Sequence, residues 1–564
     1  MQETNLDEEQ LKEFLDLDSK ITRDKFTSYV GNVERGSNFD VRTPFYKTGK
    51  QYPERSEVLN LWSPTLEALK NELPGLYMYE MDMAEKVGPM SVMAPLEDRW
   101  DPDIYSYYEA IHSPQQPISD EAVSKQVINE LNRVKGVRML NQANTLAAMD
   151  LGKADGAPFL GKKRDHVDQT IPCGLLFSTK DVTVVAQQST KWKSCAMLGW
   201  RGQEGGPTPD DTKQRVIWMF PFAVSILELQ MYIALIRACQ RAEFNPAWIS
   251  QDAVDMRMTQ LMKTKGRNDE IVCTDFTKFD QHFNAKMQEA AKSVIAGIVS
   301  PGENERDWLR EIFPMKYQIP LLAGKTLITG LHGVASGSGG TNWDETAAHR
   351  ALQYEAASAA GRQLNRNSMC SGDDGCLSYP GISVEQVTES YTSHGLDMNE
   401  TKQDHSVREA TYLRRWYDIE YRKDGLCRGV YATTRAIGRL LAQEREYDPK
   451  NWGPKLVTLR YLSIIENCKY HPLFDKFIEF CIKGDKYRLG LDIPGFLDDL
   501  ESIVKESMHM IPEFMGYNQR MQMLGPGGMV KPLTGIMSWS VVQYILKSNY
   551  SSQVKHSGKH VILS

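Results

Sequence analysis

Three aspartates at two places in the chain have the type and setting to hold divalent cations. The segment DFTKFD (275–280) follows a short β-rich run, Ile271-Val272-Cys273-Thr274, so the Asp275 carboxylate is expected at a strand terminus, with Asp280 beyond a turn and facing the same cleft. The segment SGDDG (371–375) sets Asp373 and Asp374 side by side between glycines and apolar flanks, the pattern of a hairpin tip. Neighbouring side chains in a strand point to opposite faces, but a glycine turn relaxes that constraint. Adjacent carboxylates so exposed repel each other unless a cation sits between them. Hard oxygen donors suit Mg²⁺, and two such ions about 3.5–4 Å apart can activate a 3′-hydroxyl and stabilise a leaving pyrophosphate.

A third piece lies between them, VASGSGGTNWDETAAHRA (334–351). Ser336 to Gly340 form a small-residue loop, and Thr341 and Asn342 stand where a helix begins, as N-cap-type residues would. Alone, this is a linker and a capped helix. GDD alone is an ordinary turn, and D-x-x-x-x-D is common in surface loops. The ordered set is what points to nucleotidyl transfer.

The elements that must position these residues follow from the wider pattern. Short strand-like runs alternate with helices from about 270 to 435, and YRKDGLCRG (421–429) carries a DG turn that predicts a hairpin. Beyond about 436 the chain is mostly helical, except for a Gly/Pro loop, LGPGGMVKPLTG (524–535). Residues 1–25 predict a solvated acidic helix with Leu6, Leu11, Phe14, Leu15 and Leu17 as a thin apolar stripe. Residues 26–120 show no sustained period and are expected to wrap over another domain. Val216 to Ala238 is the most apolar stretch, but Pro221, Glu228 and Gln230 interrupt it, so it predicts a buried helix and no membrane span.

The 564 residues are too many for one core, and 41% apolar with 25% charged residues describes a folded protein. Nine cysteines lie scattered without C-x-x-C pairs or zinc spacing, which fits free thiols. The opening residues lack the basic and apolar regions of a signal peptide. The net charge of −7 decides little about nucleic acid, because residues 1–24 hold eight acids against three bases while residues 511–564 hold five bases against one acid.

DFTKFD, SGSGGTN and SGDDG resemble palm motifs A, B and C of viral RNA-dependent RNA polymerases. The wording DFTKFDQHFN and GSGGTNWDE is most similar to that of picobirnaviruses, small double-stranded RNA viruses, with partitivirus enzymes as cousins. GAPFLGKKRD (156–165) resembles the template-contacting motif G, KQRVIWMFP (213–221) motif F, GLDMNETKQ (395–403) motif D and TYLRRWY (411–417) motif E.

The resemblance implies an α+β, helix-rich right hand. It comprises an N-terminal extension (1–120) bridging fingers and thumb, fingers (121–265), palm (266–285), a fingers insertion (286–328), palm again (329–435) and thumb (436–564). It implies that Asp275 and Asp373 are the principal ligands of two Mg²⁺ ions, Mn²⁺ being able to substitute, with Asp374 close by. Asp280 and Asn342 would read the ribose 2′-hydroxyl, supported by Ser336 and Thr341. Lys402 would be the general acid for pyrophosphate, and Lys213, Arg215 and Arg201 would meet the triphosphate. Gly156, Lys162, Lys163, Arg164, Arg414 and Arg415 would contact RNA. Its partners would be template and product RNA, ribonucleoside triphosphates and a viral capsid protein, and it would work as a monomer in the virion interior and host cytoplasm. Independently of the resemblance, the Gly/Pro content of the 524–535 loop and the positive charge beyond it suggest a segment that would reach back toward the cavity, helping initiation without a primer or plugging the exit.

The acid pair follows Ser371-Gly372 rather than the aromatic usual in reverse transcriptases. Asp280 stands where those enzymes carry a bulky steric gate. Two rivals stay open on sequence alone: an inactive capsid-associated palm scaffold, and a reverse transcriptase or DNA polymerase.

Overall fold

The run Ile271–Thr274 is a strand buried on both faces, which is why it reads as continuously apolar rather than alternating. Val272 joins one core with the helices Ala285–Ile298 and Thr341–Ala359, while Ile271 and Cys273 join another with the helix Gln251–Thr264. In this computed structural model, which describes residues 1–112, 115–177, 181–507 and 535–548, the strand is central to a four-stranded antiparallel sheet. The order is Met369–Ser371, Asp374–Leu377, Ile271–Thr274, Asp404–Ser406.

A second sheet of five strands runs Gln2–Asn5, Thr326–Thr329, Leu321–Ala323, Ala196–Gln203, Lys213–Met219. The first of these strands corrects the expectation for residues 1–25. They form an edge strand, a short helix Glu8–Leu11 capped by Asp7, and the start of the helix Lys20–Arg35, not one solvated helix. The predicted stripe of Leu6, Leu11, Phe14, Leu15 and Leu17 is buried against Met197, Leu322 and Leu327 of the sheet, leaving most of the acids in solvent.

Val216–Ala238 also divides: its first residues finish the strand Lys213–Met219, and Pro221 starts the helix Phe222–Ala242. That helix is long and apolar enough to cross a membrane by composition, but 17 of its 21 residues are buried inside the protein. Glu228, in its middle, is pushed up to about 7 by burial, against the pull of Lys316, and accepts from the Ser338 hydroxyl at 2.5 Å.

Residues 45–83 pack against the C-terminal helices: Phe45, Trp62, Leu66 and Leu76 share a core with Ile437, Leu462, Phe477 and Ile545. Within it the fully buried Glu80 carboxylate accepts from the backbone N–H of Thr433 (2.8 Å) and Thr434 (2.9 Å), from both their hydroxyls, and faces His471 Nε2 at 2.7 Å. A carboxylate 353 positions away in sequence thus caps the helix Thr433–Leu441, whose own N-cap, Ala432, has no side chain for the task. The predicted DG hairpin is present, with Asp424 and Gly425 both at positive φ, as a type I′ turn requires. All nine cysteines are free and eight are buried. Of the Gly/Pro loop 524–535, all but residue 535 lies outside the described residues, as does the tail from 549. The stretch between them packs on the C-terminal core through Ile536, Val541, Val542 and Ile545.

Candidate active site

The two acidic segments meet through strand register. Thr274 pairs with Gly375 and Ser371 with Asp374, so the antiparallel ladder brings Asp275, at the end of its strand, beside the turn that carries Asp373 and Asp374. The turn is the predicted hairpin tip. Gly372 takes its first central position with φ +62°, the geometry of a II′ turn, and a Cβ there would meet Asn342 Nδ2 at 3.0 Å and Glu345 Oε2 at 3.2 Å.

Asp275, Asp373 and Asp374 line a cavity of about 490 Å³ together with Lys213, Arg215, Asn342 and Arg414, all expected, and Lys86, Glu204, Trp248 and Arg435, which were not. Burial, then the Asp373 charge, lifts Asp275 above the usual carboxylate range, while Lys213, Lys402 and Lys86 draw it back. Burial and Asp373 also raise Asp374. Among the described residues no three acid, His or Cys groups are gathered into a preformed metal cage. The donor set nevertheless fits a hard divalent cation: three carboxylates on one wall, two of them destabilised as anions first by burial and then by the Asp373 charge, which such a cation would offset.

The cationic wall follows from strand periodicity. On Lys213–Met219, Lys213 and Arg215 share the exposed face, and the intervening Gln214 points the other way, bonded to Val92 O (3.1 Å), the Ala94 N–H (3.1 Å) and Arg99. Arg414 arrives by a tight turn. The strands Glu409–Tyr412 and Arg415–Asp418 are joined by Leu413 and Arg414, both at positive φ (50° and 61°), which aims them at the cavity. Glu204 is held at about 2, against its burial, by Arg435, Arg439 and Arg414, so it neutralises part of this wall.

The loop before the helix Thr341–Ala359 is held from two sides. The Ser336 hydroxyl donates to Val216 O (3.2 Å) and accepts from Trp218 N–H, tying the loop to the strand that carries Lys213 and Arg215. The Thr341 hydroxyl donates to Ala335 O at 2.8 Å. The helix begins at Thr341 as expected, but its N-cap is Gly340, where a Cβ would overlap the Tyr232 ring at 2.1 Å. Asn342 accepts from Trp248 Nε1 at 2.8 Å. Asp280 hydrogen-bonds to the side chain of Glu345, and both are raised, chiefly by burial, as two acids sharing a proton are. Glu345 Oε1 is buried without a partner. Sequence reasoning missed Glu345, although its i,i+3 spacing from Asn342 puts both on one helix face.

Lys402 is exposed in the short helix Glu400–Lys402 and near enough to Asp275 to stabilise its charge. The neighbouring Gln403, also missed, accepts from the Asp275 N–H at 2.8 Å and donates to the Asp275 carbonyl at 2.9 Å.

Gly156, Lys162 and Lys163 line an adjoining cavity of about 1160 Å³ with Trp200, Phe220 and Gly337, while Arg164 is exposed close by. Gly156, at φ +67°, sits so tightly on Phe220 O that a Cβ would come within 2.6 Å. Two expectations need correction. Arg201 lines this adjoining cavity, not the catalytic one, and its guanidinium is engaged by Glu444 at 2.9 and 3.1 Å. Arg415 does not face RNA: one residue past the turn it points inward, is 1% exposed, and donates to Asn467 O at 2.8 Å.

Three comparisons agree with this geometry. The sequence pattern of the family described as viral RNA-dependent RNA polymerase matches residues 97–481. A protein of human picobirnavirus (strain Human/Thailand/Hy005102/-) named "Potential RNA-dependent RNA polymerase" is 49% identical over 517 residues, covering 92% of this chain and 95% of its own. The crystal structure of the RNA-dependent RNA polymerase of a human picobirnavirus superposes with a TM-score of 0.88 at 45% identity, covering 96% of this chain and 99% of the other. The insertion-loop deletion mutant of such a polymerase gives 0.87 at the same identity and coverage.

Proposed function

The chain belongs to the viral RNA-dependent RNA polymerases and has their right-hand fold and RNA-directed RNA polymerase activity, and from that premise we propose that it works by two-metal-ion nucleotidyl transfer, begins chains without a primer, and serves both transcription and genome replication of a double-stranded RNA virus. The observation that carries the two-metal reading is the Thr274–Gly375 register, which joins Asp275 to Asp373 and Asp374 across one cavity wall. These residues would hold two Mg²⁺ ions, with Mn²⁺ able to substitute, and the bound ions supply charge neutralisation at the reacting phosphate.

The rest is the work of the chain's own side chains. Lys213, Arg215, Arg414 and Lys86 offset the triphosphate charge in a partly desolvated cavity and orient the α-phosphate for in-line attack. Lys402, beside Asp275, protonates the departing pyrophosphate. Asp280, with Glu345 and Asn342, reads the ribose 2′-hydroxyl, a group that both donates and accepts. The template enters past Gly156, Lys162 and Lys163. Residues 1–120 bridge fingers and thumb, since the first 35 pack on the five-stranded sheet and residues 45–83 on the C-terminal helices. Capsid association, monomeric working form, and action in the virion interior and host cytoplasm belong to the same proposal.

Template-directed incorporation of labelled ribonucleotide by wild type and Asp373→Ala tests the catalytic assignment, and full activity in the variant overturns it. Retention of a γ-phosphate label at the product 5′ end tests primer-independent initiation, and label appearing only through primer extension overturns that part.

A further inference from the structure

Far from the catalytic cavity lies a second concavity of about 960 Å³, and its lining is cationic in a chain of net charge −7. The helix Thr341–Ala359 has Asn342 at one end in the catalytic cavity and Tyr354 and Ser358 at the other end in this one. Its 19 residues span about 28 Å at 1.5 Å each, so the two sites are separate.

Five cationic side chains line it: Lys125, Arg133, Arg257, Arg362 and Arg366. Lys125 is paired with Glu121 (2.8 Å) and donates to Ser358 (2.9 Å), and two carboxylates stand on the lining itself. One, Glu130, is already engaged by Arg350 (2.9 Å, both oxygens) and Tyr354 (2.9 Å). Cations gather at helix C-termini for a simpler reason, to offset the backbone partial charge there. That accounts for Arg133, which donates to Arg241 O (3.1 Å), and for Arg257, which donates to Glu243 O (2.6 Å). Arg362 follows the end of the helix Thr341–Ala359, yet among the described residues neither its side chain nor that of Arg366 is bonded to a helix-end carbonyl. Both are exposed, and among the described residues no hydrogen bond or ion pair engages either side chain.

We propose that this cavity binds the phosphodiester backbone of single-stranded RNA outside the catalytic channel. The cations come from separate elements, the helix Asp120–Gln126, the turn Asn132–Val134, the helix Gln251–Thr264 and the segment after the helix Thr341–Ala359, around a cavity large enough for several linked phosphates. Asn132 and Gln363, both exposed on the same walls, offer paired donors and acceptors for sugar and base edges.

The test uses the full chain and a short 4-thiouridine-substituted oligouridylate, crosslinked and mapped by mass spectrometry, with binding followed over a range of salt. Wild type is expected to crosslink within residues 355–367. Arg362→Glu/Arg366→Glu should lose that crosslink and lower the salt dependence of binding by roughly 1.4 in log–log slope, about 0.7 for each phosphate contact on a single strand. Extension of a short primed template should be unchanged. Arg362→Gln/Arg366→Gln, which removes charge without reversing it, should fall between the two and keep the wild-type melting temperature. No crosslink in wild type, or one that survives the charge reversal with an unaltered slope, overturns the proposal. So does displacement of the crosslink by ribonucleoside triphosphate, which would identify a free nucleotide as the ligand, or by an acidic peptide and not by unlabelled RNA. The readout is binding, so a failure here leaves the catalytic reading untouched.

Discussion

Gln403 closes a two-way hydrogen-bond bracket on the backbone of Asp275, accepting from its N–H and donating to its carbonyl. Asp275, one residue past the ladder in which Thr274 pairs with Gly375, would otherwise be held only through the strand before it. The bracket also ties Asp275 to Lys402, the next residue along. Gln403→Ala should therefore lower kcat by about 10²-fold, the cost of a misplacement near 1 Å, with a smaller change in KM for nucleotide. Single-turnover incorporation checks this, and Gln403→Glu, which can accept but not donate, should not rescue. Wild-type kcat in the alanine variant would remove Gln403 from the positioning of Asp275.

The Asp280–Glu345 pair is where the proposed reading of the sugar can be tested. If these two acids, with Asn342, read the 2′-hydroxyl, then Glu345→Ala and Asp280→Ala should each reduce preference for ribonucleotide over deoxyribonucleotide by roughly 10–100-fold in kcat/KM, equivalent to one or two hydrogen bonds left unmade. Competition between matched rNTP and dNTP on one template measures it. Unchanged discrimination in both variants would move sugar recognition to another residue.

Arg414 and Arg415 are adjacent yet should fail in different ways. Arg414→Ala removes a cation from the cavity wall and should raise KM for nucleotide several-fold while the melting temperature holds. Arg415→Ala leaves the Asn467 carbonyl without its buried donor and should cost about 1–3 kcal/mol of stability. Thermal melting read beside steady-state kinetics separates them, and a shared phenotype would contradict the opposed facing of the two side chains.

Glu80 links stability to pH. Burial alone would raise its pKa, but His471 and the Thr433 and Thr434 donors outweigh that and hold it below its ordinary 4.5. A depressed folded-state pKa contributes stability above the unfolded value that is lost as pH falls through the folded one. Glu80→Gln should therefore lower the melting temperature at pH 7, and the gap from wild type should narrow below about pH 4.5. A gap independent of pH would mean that the ionised form is not what caps the Thr433–Leu441 helix.

The sequence determined the parts that short-range chemistry encodes. The β-rich run before Asp275, the glycine-flanked acids of 371–375, the DG turn at 424–425 and the interrupted apolar run after Pro221 each carry their own backbone instruction, and each took the predicted form or, at 216–220, an adjacent one. That Lys213 and Arg215 share a face, by contrast, came with the strand Lys213–Met219, where the sequence predicted a helix from Val216. Tertiary structure decided what depends on partners far along the chain. Gln403 reaches Asp275 across 128 positions and Glu80 reaches Thr433 across 353, and neither residue differs in type from any surface Gln or Glu. The helix predicted for residues 1–25 gave way to an edge strand because pairing with Thr326–Thr329 satisfies backbone groups and covers the apolar stripe at once. One residue of register at the Leu413–Arg414 turn sent Arg414 to the cavity and Arg415 to the core. Propensity and turn chemistry are local, whereas burial, register and hydrogen-bond satisfaction are settled only when the whole chain has packed.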